Sequence, residues 1–172
     1  MDKVLEGARN IIKWRKALNS KTPMVVFQFL VVRPNEHQVD EVRQLAREMG
    51  LDDVWFKTAQ IYDYQNDPNQ LIPSTEQFSR YKKDAAGLTI PKNKMPNHCW
   101  KMWHSNVITW DGKVVPCCFD KDAQHIIGEL TTNGMKEIWE SKKYNEFRAE
   151  LMRGRKNIDI CSNCSEGLKV WS

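Results

Sequence analysis

The stretch WDGKVVPCCFD, residues 110–120, decides how the second half of this chain folds. Its Asp111-Gly112 dipeptide is favoured in the two-residue turns of β-hairpins. Residues 107–110 before the turn and residues 113–116 after it are rich in strand-forming side chains. The returning strand runs directly into two adjacent cysteines. The sequence therefore predicts a β-hairpin that carries thiols at the end of its second strand.

All five cysteines lie after residue 98, and their spacing predicts a sulfur-ligated metal site. Cys161 and Cys164 form a CxxC turn, which brings two sulfurs to the same side of the chain. Neighbouring side chains of an extended strand point to opposite faces, so only one of Cys117 and Cys118 is expected to face the site. Cys99 supplies the fourth thiol. Spacing alone leaves structural Zn²⁺ and an iron–sulfur cluster both open, while chance cysteines or a disulfide fit less well.

Composition and charge exclude several classes of protein. The 172 residues include 26 Lys+Arg and 22 Asp+Glu, a net charge of +4 that is scattered rather than arranged as a nucleic-acid-binding stripe. The longest apolar run, residues 24–32, is far shorter than the roughly 20 residues that a membrane-spanning helix needs, and the N-terminus does not resemble a signal peptide. We therefore expect a cytoplasmic protein with no nucleic-acid or membrane partner. In that reducing compartment, clustered cysteines indicate metal binding before disulfides.

The first 62 residues predict two βα units. Helical and strand patterns alternate, with helices over residues 3–18 and 35–49 and strands over residues 23–32 and 54–61. This order predicts two parallel strands joined by a right-handed crossover. Because two parallel strands do not complete a sheet, two interpretations stay open. Either the second half completes a small α+β domain, or this region is the last part of a larger β/α sheet or barrel.

The second half resembles a known family in both the wording and the order of its motifs. Cys99 is followed by the hairpin with Gly112 and Cys117 and, at the end of the pattern, by the CxxC turn. Between the hairpin and the CxxC turn lie three motifs in that family's order, which are IGEL at 127–130, MKEIW at 135–139 and YNEFR at 144–148. Over residues 97–167 this pattern resembles the auxiliary-cluster module of radical S-adenosylmethionine enzymes, the SPASM domain and its shortened twitch form. Residues 1–62 are similar, less specifically, to the closing βα units of such an enzyme's partial (β/α) barrel.

This resemblance implies an α/β chain of three parts. Residues 1–62 are expected to be the last two βα units of the barrel, residues 63–96 a linker with a helical turn near residues 74–83, and residues 97–172 a small α+β iron–sulfur domain made of a hairpin and a helix. That helix is expected over residues 134–152. An apolar shell of tryptophans is expected around the cluster, namely Trp100, Trp103, Trp110 and Trp139. A solvated face of arginines is also expected, namely Arg148, Arg153 and Arg155.

The resemblance also implies the cofactor and its ligands. Cys99, Cys117, Cys161 and Cys164 match the family positions that ligate an auxiliary [4Fe–4S] cluster, with Cys118 as the alternative to Cys117. The sequence continues past the CxxC turn without further cysteines, so one auxiliary cluster is expected and not two. Ligation by four cysteines favours a role in electron relay or structure. Three nearby side chains are expected to tune the cluster's potential, namely Lys101, His104 and Lys113.

The family's radical-generating motif, CxxxCxxC, is not present in residues 1–98. The chain is therefore expected to be inactive alone and to depend on a missing N-terminal region that binds S-adenosylmethionine and a second [4Fe–4S] cluster. Asn35 and Gln60 are expected on the S-adenosylmethionine side of the barrel, and no catalytic residue is predicted. The implied partners are a peptide, protein or small-molecule substrate and a reductant such as flavodoxin or ferredoxin. The alternative is a zinc-stabilised, non-enzymatic binding module.

Overall fold

A computed structural model of the chain describes residues 2–164 and residue 166. The chain divides into two compact units, residues 1–92 (unit 1) and residues 93–172 (unit 2). Both mix short sheets with helices. Among the residues that the structure describes, no helix combines the length and the apolar character needed to cross a bilayer.

Unit 1 begins with a βαβ arrangement. Helix α1 spans Asp2–Ala17, strand β1 Val26–Val31, helix α2 Val39–Met49 and strand β2 Asp53–Thr58, with a 3₁₀ turn at Arg33–Gln38 before α2. Strands β1 and β2 pair in parallel, with Val26 opposite Asp53 and Val31 opposite Thr58. Helix α2 ends where Gly50 adopts φ 73°, a left-handed conformation that suits glycine. The parallel pair predicted from the alternating pattern is confirmed.

The rest of unit 1 contains more structure than the predicted connection. A 3₁₀ turn spans Glu76–Phe78, and strands β3 (Tyr81–Lys83) and β4 (Thr89–Pro91) form an antiparallel pair. The short helical turn predicted near residues 74–83 corresponds to this 3₁₀ turn, and β3 occupies the end of that range. Tyr81 anchors this region, because its hydroxyl accepts a hydrogen bond from the Ile61 amide at 2.8 Å and its ring is buried. The predicted domain boundaries themselves stay a prediction.

Unit 2 is built around the predicted hairpin. Strand β5 spans Val107–Ile108 and β6 Lys113–Val115, paired antiparallel with Val107 opposite Val115. Gly112 adopts φ 83° in the turn, which a side chain would disfavour. A third strand, β7 (Gly128–Glu129), pairs with β6 and was not predicted. A Cβ at position 128 would lie 2.8 Å from Cγ1 of Ile138, so glycine permits this close packing.

The predicted helix over residues 134–152 is divided in two. Helix α3 spans Met135–Glu140 and α4 spans Lys142–Gly154. Between them Ser141 has extended backbone angles, and its hydroxyl accepts a hydrogen bond from the Tyr144 amide, which caps α4. A 3₁₀ turn at Arg155–Asn157 and a short helix α5, Asp159–Ser162, follow. Side chains of these helices and of the hairpin form one buried cluster that includes Val114, Tyr144, Phe147 and Leu151.

Candidate metal centre

Four of the five cysteines are buried in unit 2. All five are free thiols, and Cys118 alone is exposed. Each of the other four is 9% exposed or less: Cys99, Cys117, Cys161 and Cys164. They come from three separate places in the unit, which are the start of a 3₁₀ turn at Trp100–Trp103, the end of β6, and α5 with the residues just after it. Three of them belong to the buried apolar cluster itself.

The buried thiols lie close enough to affect one another's ionisation. Burial raises the pKa of the Cys117 thiol to about 11, and the neighbouring sulfurs of Cys118, Cys164 and Cys99 add to the rise. Burial likewise raises the pKa of Cys161 to about 12, with the sulfurs of Cys117, Cys164 and Cys99 contributing in the same direction. As free thiols, Cys117 and Cys161 are therefore held in the neutral form. Ionising them together requires a positive charge at the same place, which bound metal supplies.

This donor set fits an iron–sulfur cluster by its chemistry, because cysteine thiolates are the usual ligands of such clusters and these four are buried in apolar surroundings. Within residues 2–164 and residue 166, no three His, Cys, Asp or Glu side chains are grouped closely enough to hold a single metal ion. A [4Fe–4S] cluster requires a wider spacing of its ligands, because each thiolate binds a different iron.

The loop after β6 sets the orientation of the vicinal pair. Asp120 is buried, and its carboxylate accepts hydrogen bonds from the backbone amides of Gln124 at 2.7 Å and His125 at 2.8 Å. The Asp120 amide in turn donates to the carbonyl of Cys117 at 3.1 Å. This closed turn keeps Cys117 inside and leaves Cys118 on the surface. The structure thus distinguishes the two neighbouring thiols, since one is buried and the other is exposed.

A polar pair connects this loop to the helix that carries Cys161. His125 Nε2 lies 2.6 Å from Asp159 Oδ1, and the hydrogen bond holds the pKa of the Asp159 carboxyl below its usual value. The His125 ring also packs edge-on against Phe147, with ring centroids 5.4 Å apart. The hairpin loop and α5 are therefore held together by side chains as well as by the apolar cluster. Sequence reasoning did not single out His125, Asp120 or Asp159.

The CxxC turn is formed by local backbone hydrogen bonds. The amide of Cys161 donates to the carbonyl of Ile158 at 2.9 Å, and the amide of Cys164 donates to the carbonyl of Cys161 at 3.2 Å. The amide of Glu166 points at Cys164 Sγ, 3.3 Å away. Amides directed at cysteine sulfurs stabilise thiolates and are one of the features that set a cluster's potential.

Arg155 is the residue of this region that sequence reasoning placed wrongly. It is 1% exposed rather than on a solvated face. Its guanidinium donates hydrogen bonds to three carbonyls, those of His98 (2.8 Å), Cys164 (2.8 Å) and Glu166 (2.9 Å). The helical pattern did not predict this because the chain leaves the helix at Gly154, where backbone φ is −172° and ψ 78°. The side chain that follows is thereby directed inward.

The two other predicted solvated arginines differ from each other. Arg153 is exposed, as expected. Arg148 instead stacks on the ring of Tyr144, 3.7 Å from its centroid, and donates to the carbonyl of Met102 at 2.9 Å. Its planar guanidinium thereby joins α4 to the segment that follows Cys99, which is a structural role.

Most of the predicted tryptophan shell is exposed, and two of the three predicted tuning side chains form ion pairs. Trp110 is 97% exposed, and Trp100 and Trp103 are also exposed, so the shell is wrong for these three. Only Trp139 packs against the buried cluster. Lys113 is paired with Asp111 at 2.7 Å in the hairpin turn, and Lys101 lies 3.7 Å from the Glu166 carboxylate. The amide of His104 closes the 3₁₀ turn by donating to the carbonyl of Lys101.

Asn35 and Gln60 lie beyond the carboxyl ends of β1 and β2 in unit 1. Both sides of the Asn35 amide are used locally: Oδ1 accepts from the Val32 amide at 2.9 Å and Nδ2 donates to the Leu30 carbonyl at 3.0 Å. Asn35 therefore fixes the turn after β1. Gln60 differs, since its buried Oε1 has no hydrogen-bond partner among the described residues. A cofactor role for either residue stays a prediction.

The region that contains these thiols is similar to known proteins. Residues 99–165 match SPASM, an iron–sulfur cluster-binding domain. The chain is 33% identical over 60 residues to the S-adenosyl-L-methionine-dependent 2-deoxy-scyllo-inosamine dehydrogenase of Niallia circulans, a stretch that covers 34% of the chain and 24% of that enzyme. It is 20% identical to the tungsten-containing aldehyde ferredoxin oxidoreductase cofactor-modifying protein of Pyrococcus furiosus, over 93% of the chain and 51% of that protein.

A solved structure is also similar. The crystal structure of BtrN in an open conformation aligns with 82% of the chain and 56% of its own length, at 19% identity and a TM-score of 0.36. The chain thus spans about half, or less, of the length of the curated relatives that it matches.

Proposed function

We propose that this chain, which carries a SPASM iron–sulfur cluster-binding domain and is related to radical S-adenosylmethionine enzymes, is the C-terminal part of such an enzyme and holds one auxiliary [4Fe–4S] cluster in unit 2. The observation that carries the proposal is the burial of four thiols, three of which belong to one apolar cluster. Thiols in such surroundings stay neutral and unreactive unless metal binds them.

The ligands we propose are Cys99, Cys117, Cys161 and Cys164. The exposure of Cys118 supports Cys117 as the member of the vicinal pair that binds. When bound, the cluster supplies one-electron transfer chemistry. Four protein ligands leave no iron open to a substrate, which favours electron relay or a structural role. The chain's own contribution is to exclude water with the surrounding apolar side chains and to direct amides, such as that of Glu166, at the sulfurs.

For unit 1 we propose the last two βα units of a partial (β/α) barrel. Parallel sheets are normally covered on both faces and contain more than two strands, yet β1 and β2 form a sheet of two. A groove of about 610 Å³ between α1, β1 and α2 is lined by apolar side chains that include Phe27, Phe29 and Val42. Further β/α units supplied by an N-terminal region would cover this groove and extend the sheet.

The substrate of the whole enzyme is a small molecule, a peptide or a protein. One relative is named for the dehydrogenation of 2-deoxy-scyllo-inosamine and another for modifying a cofactor, and these names favour a small molecule. A reductant such as flavodoxin or ferredoxin would supply the electrons, and S-adenosylmethionine and a second [4Fe–4S] cluster would be bound by the N-terminal region.

Anaerobic reconstitution of the full chain tests the cluster assignment. We expect about four iron and about four acid-labile sulfide per chain, with the broad visible absorption of a [4Fe–4S] cluster. Purification of the chain from cells supplied with both iron and zinc allows zinc to compete for the same four thiols. Stoichiometric zinc without sulfide would overturn the proposal and leave a zinc-stabilised binding module.

A further inference from the structure

We propose that Arg155 is the buried counter-charge of the auxiliary cluster and a positioning residue that raises its reduction potential. This inference rests on the proposed function, since it assumes that the four buried thiols bind the cluster. It concerns a side chain that is not a ligand. Arg155 is 1% exposed, the least exposed charged side chain that the structure describes.

No carboxylate of the described residues pairs with the charge of Arg155. A guanidinium removed from water is strongly destabilising unless an anion lies near it. Among the described residues, Asp and Glu side chains form ion pairs with other basic residues, and none forms one with Arg155. Its Nη1 and Nη2 groups donate to three carbonyl oxygens, while its buried Nε has no acceptor among the described residues. Carbonyl dipoles solvate the cation in part but do not neutralise it.

Two of the proposed ligands lie within electrostatic reach of the guanidinium. The guanidinium acts electrostatically on the sulfurs of Cys161 and Cys164. It also donates to the carbonyl of Cys164 itself. A [4Fe–4S] cluster with four thiolates carries net negative charge, which grows by one when it accepts an electron. A fixed cation beside it therefore stabilises the reduced form more than the oxidised form, because net charge near a cluster is one of the factors that sets its potential.

Arg155 also connects the segments that carry the ligands. Its backbone amide donates to Asn97 Oδ1 at 3.1 Å, and its Nη1 donates to the carbonyl of His98, the residue before Cys99. Its Nη2 donates to the carbonyls of Cys164 and Glu166. One side chain thus holds the start of the domain against the CxxC turn. The charge of Arg155 and its hydrogen bonds can be removed one at a time by substitution.

Three variants of the full chain, reconstituted anaerobically, separate the two roles. Arg155→Lys keeps the charge and loses the planar fork of donors. Arg155→Gln keeps amide donors and loses the charge, and Arg155→Met loses both. The readouts are iron and sulfide content and the midpoint potential from an EPR-monitored redox titration, neither of which needs enzyme activity. Arg153→Met, which removes an exposed arginine two residues away, is the matched control.

We expect Arg155→Gln to make reduction at least tenfold less favourable, a fall of about 59 mV for one electron, or to lose most of its cluster. Arg155→Lys should keep the cluster with less than half of that fall, and Arg153→Met should keep the wild-type potential. A wild-type potential and cluster content in Arg155→Gln would overturn the counter-charge. Equal losses in Arg155→Lys and Arg155→Gln would overturn it too, since the hydrogen bonds alone would then explain them.

Failure of the proposed function is distinguishable from failure of this inference. If the wild-type chain binds no iron and sulfide, the cluster assignment is wrong and Arg155 has no cluster to balance. If the wild-type chain binds a cluster that the Arg155 variants leave unchanged, only the role of Arg155 is wrong. Should Arg155→Met fail to fold, Arg155→Lys and Arg155→Gln still decide between the charge and the hydrogen bonds.

Discussion

The apolar side chains of unit 2 pack around the candidate cysteine ligands, whereas unit 1 has a smaller buried cluster and an open apolar groove. In unit 2, twelve described residues form one buried cluster, and three of them are cysteines. In unit 1 the corresponding cluster of described residues contains three, at the end of β2 and the start of β3. The apolar groove of unit 1 opens along β1 instead.

The difference shows where each unit obtains its stability. Unit 2 encloses its own candidate ligands, so metal binding and folding are coupled there, and the metal's binding energy becomes part of the folding energy. Unit 1 contains no cysteine, and its parallel strands lack the cover that such strands normally have. Unit 2 is therefore expected to respond most to loss of a ligand, and unit 1 most to changes on its open face.

The largest effect is expected from removing a buried thiol. Cys117→Ser should lower the iron and sulfide content of the reconstituted full chain to a small fraction of the wild-type value, because one corner of the cluster loses its ligand and the pocket stays apolar. Metal and sulfide analysis and the visible spectrum measure this. Cys118→Ser is the matched control, since it changes the neighbouring exposed thiol.

These two variants also test the comparison between buried and exposed sulfur. Wild-type cluster content in Cys117→Ser together with loss in Cys118→Ser would mean that the vicinal pair is assigned in reverse. Loss in both would mean that both sulfurs contribute to the site.

The next effect in size concerns the two cores. Leu151 is 0% exposed in the unit 2 cluster, so Leu151→Ala should lower the free energy of unfolding by about 2–5 kcal/mol. Leu30 on β1 is 53% exposed, and Leu30→Ala should cost within about 0.5 kcal/mol. Denaturant unfolding of the metal-free full chain measures both changes. A cost at Leu30 as large as that at Leu151 would show that the Leu30 side chain is buried in solution.

Much of this organisation could be predicted from the sequence because it depends on local patterns. The Asp111-Gly112 turn specifies the hairpin, and the alternation of helix and strand specifies the parallel pair β1–β2. Cys99, the hairpin cysteines and the CxxC turn indicate a sulfur site, and four of these five thiols are buried. Such features need only residues that are near in sequence, where turn chemistry and periodicity decide the structure.

The features that were missed depend on contacts between distant residues. Strand β7 is two residues long, too short for a pattern, and it forms because Gly128 lets Ile138 pack against the sheet. The inward direction of Arg155 follows from the break at Gly154 and from carbonyls of residues 98, 164 and 166. The exposure of Trp110 arises because it sits at the hairpin turn, where strand alternation no longer applies.

A smaller effect is expected on the open face of unit 1. Val4 of α1 is exposed and lines the apolar groove, through which we expect the full chain to self-associate as its concentration rises. Val4→Glu places a charge at the groove and should reduce this association. Analytical ultracentrifugation over a range of concentrations measures it. Asn10→Glu adds the same charge to an exposed position of α1 that does not line the groove, and should have less effect. Equal effects would mean that net charge, and not the groove, controls association.

The smallest effect concerns the hairpin turn of unit 2. Lys113 and Thr109 donate hydrogen bonds to Asp111 and lower the pKa of its carboxyl from 3.8 to about 2. A carboxyl with a lowered pKa stabilises the folded state above its ordinary pKa, and this contribution is lost as the pH falls from about 4 towards about 2. Asp111→Asn should therefore lower the metal-free chain's unfolding temperature at pH 6 slightly, and the difference from wild type should shrink progressively below pH 4. Thermal unfolding of Asp111→Asn, Lys113→Met and the double variant over this range isolates the pair. A difference that stays constant down to pH 2 would assign the effect to the turn's backbone conformation instead of to the ion pair.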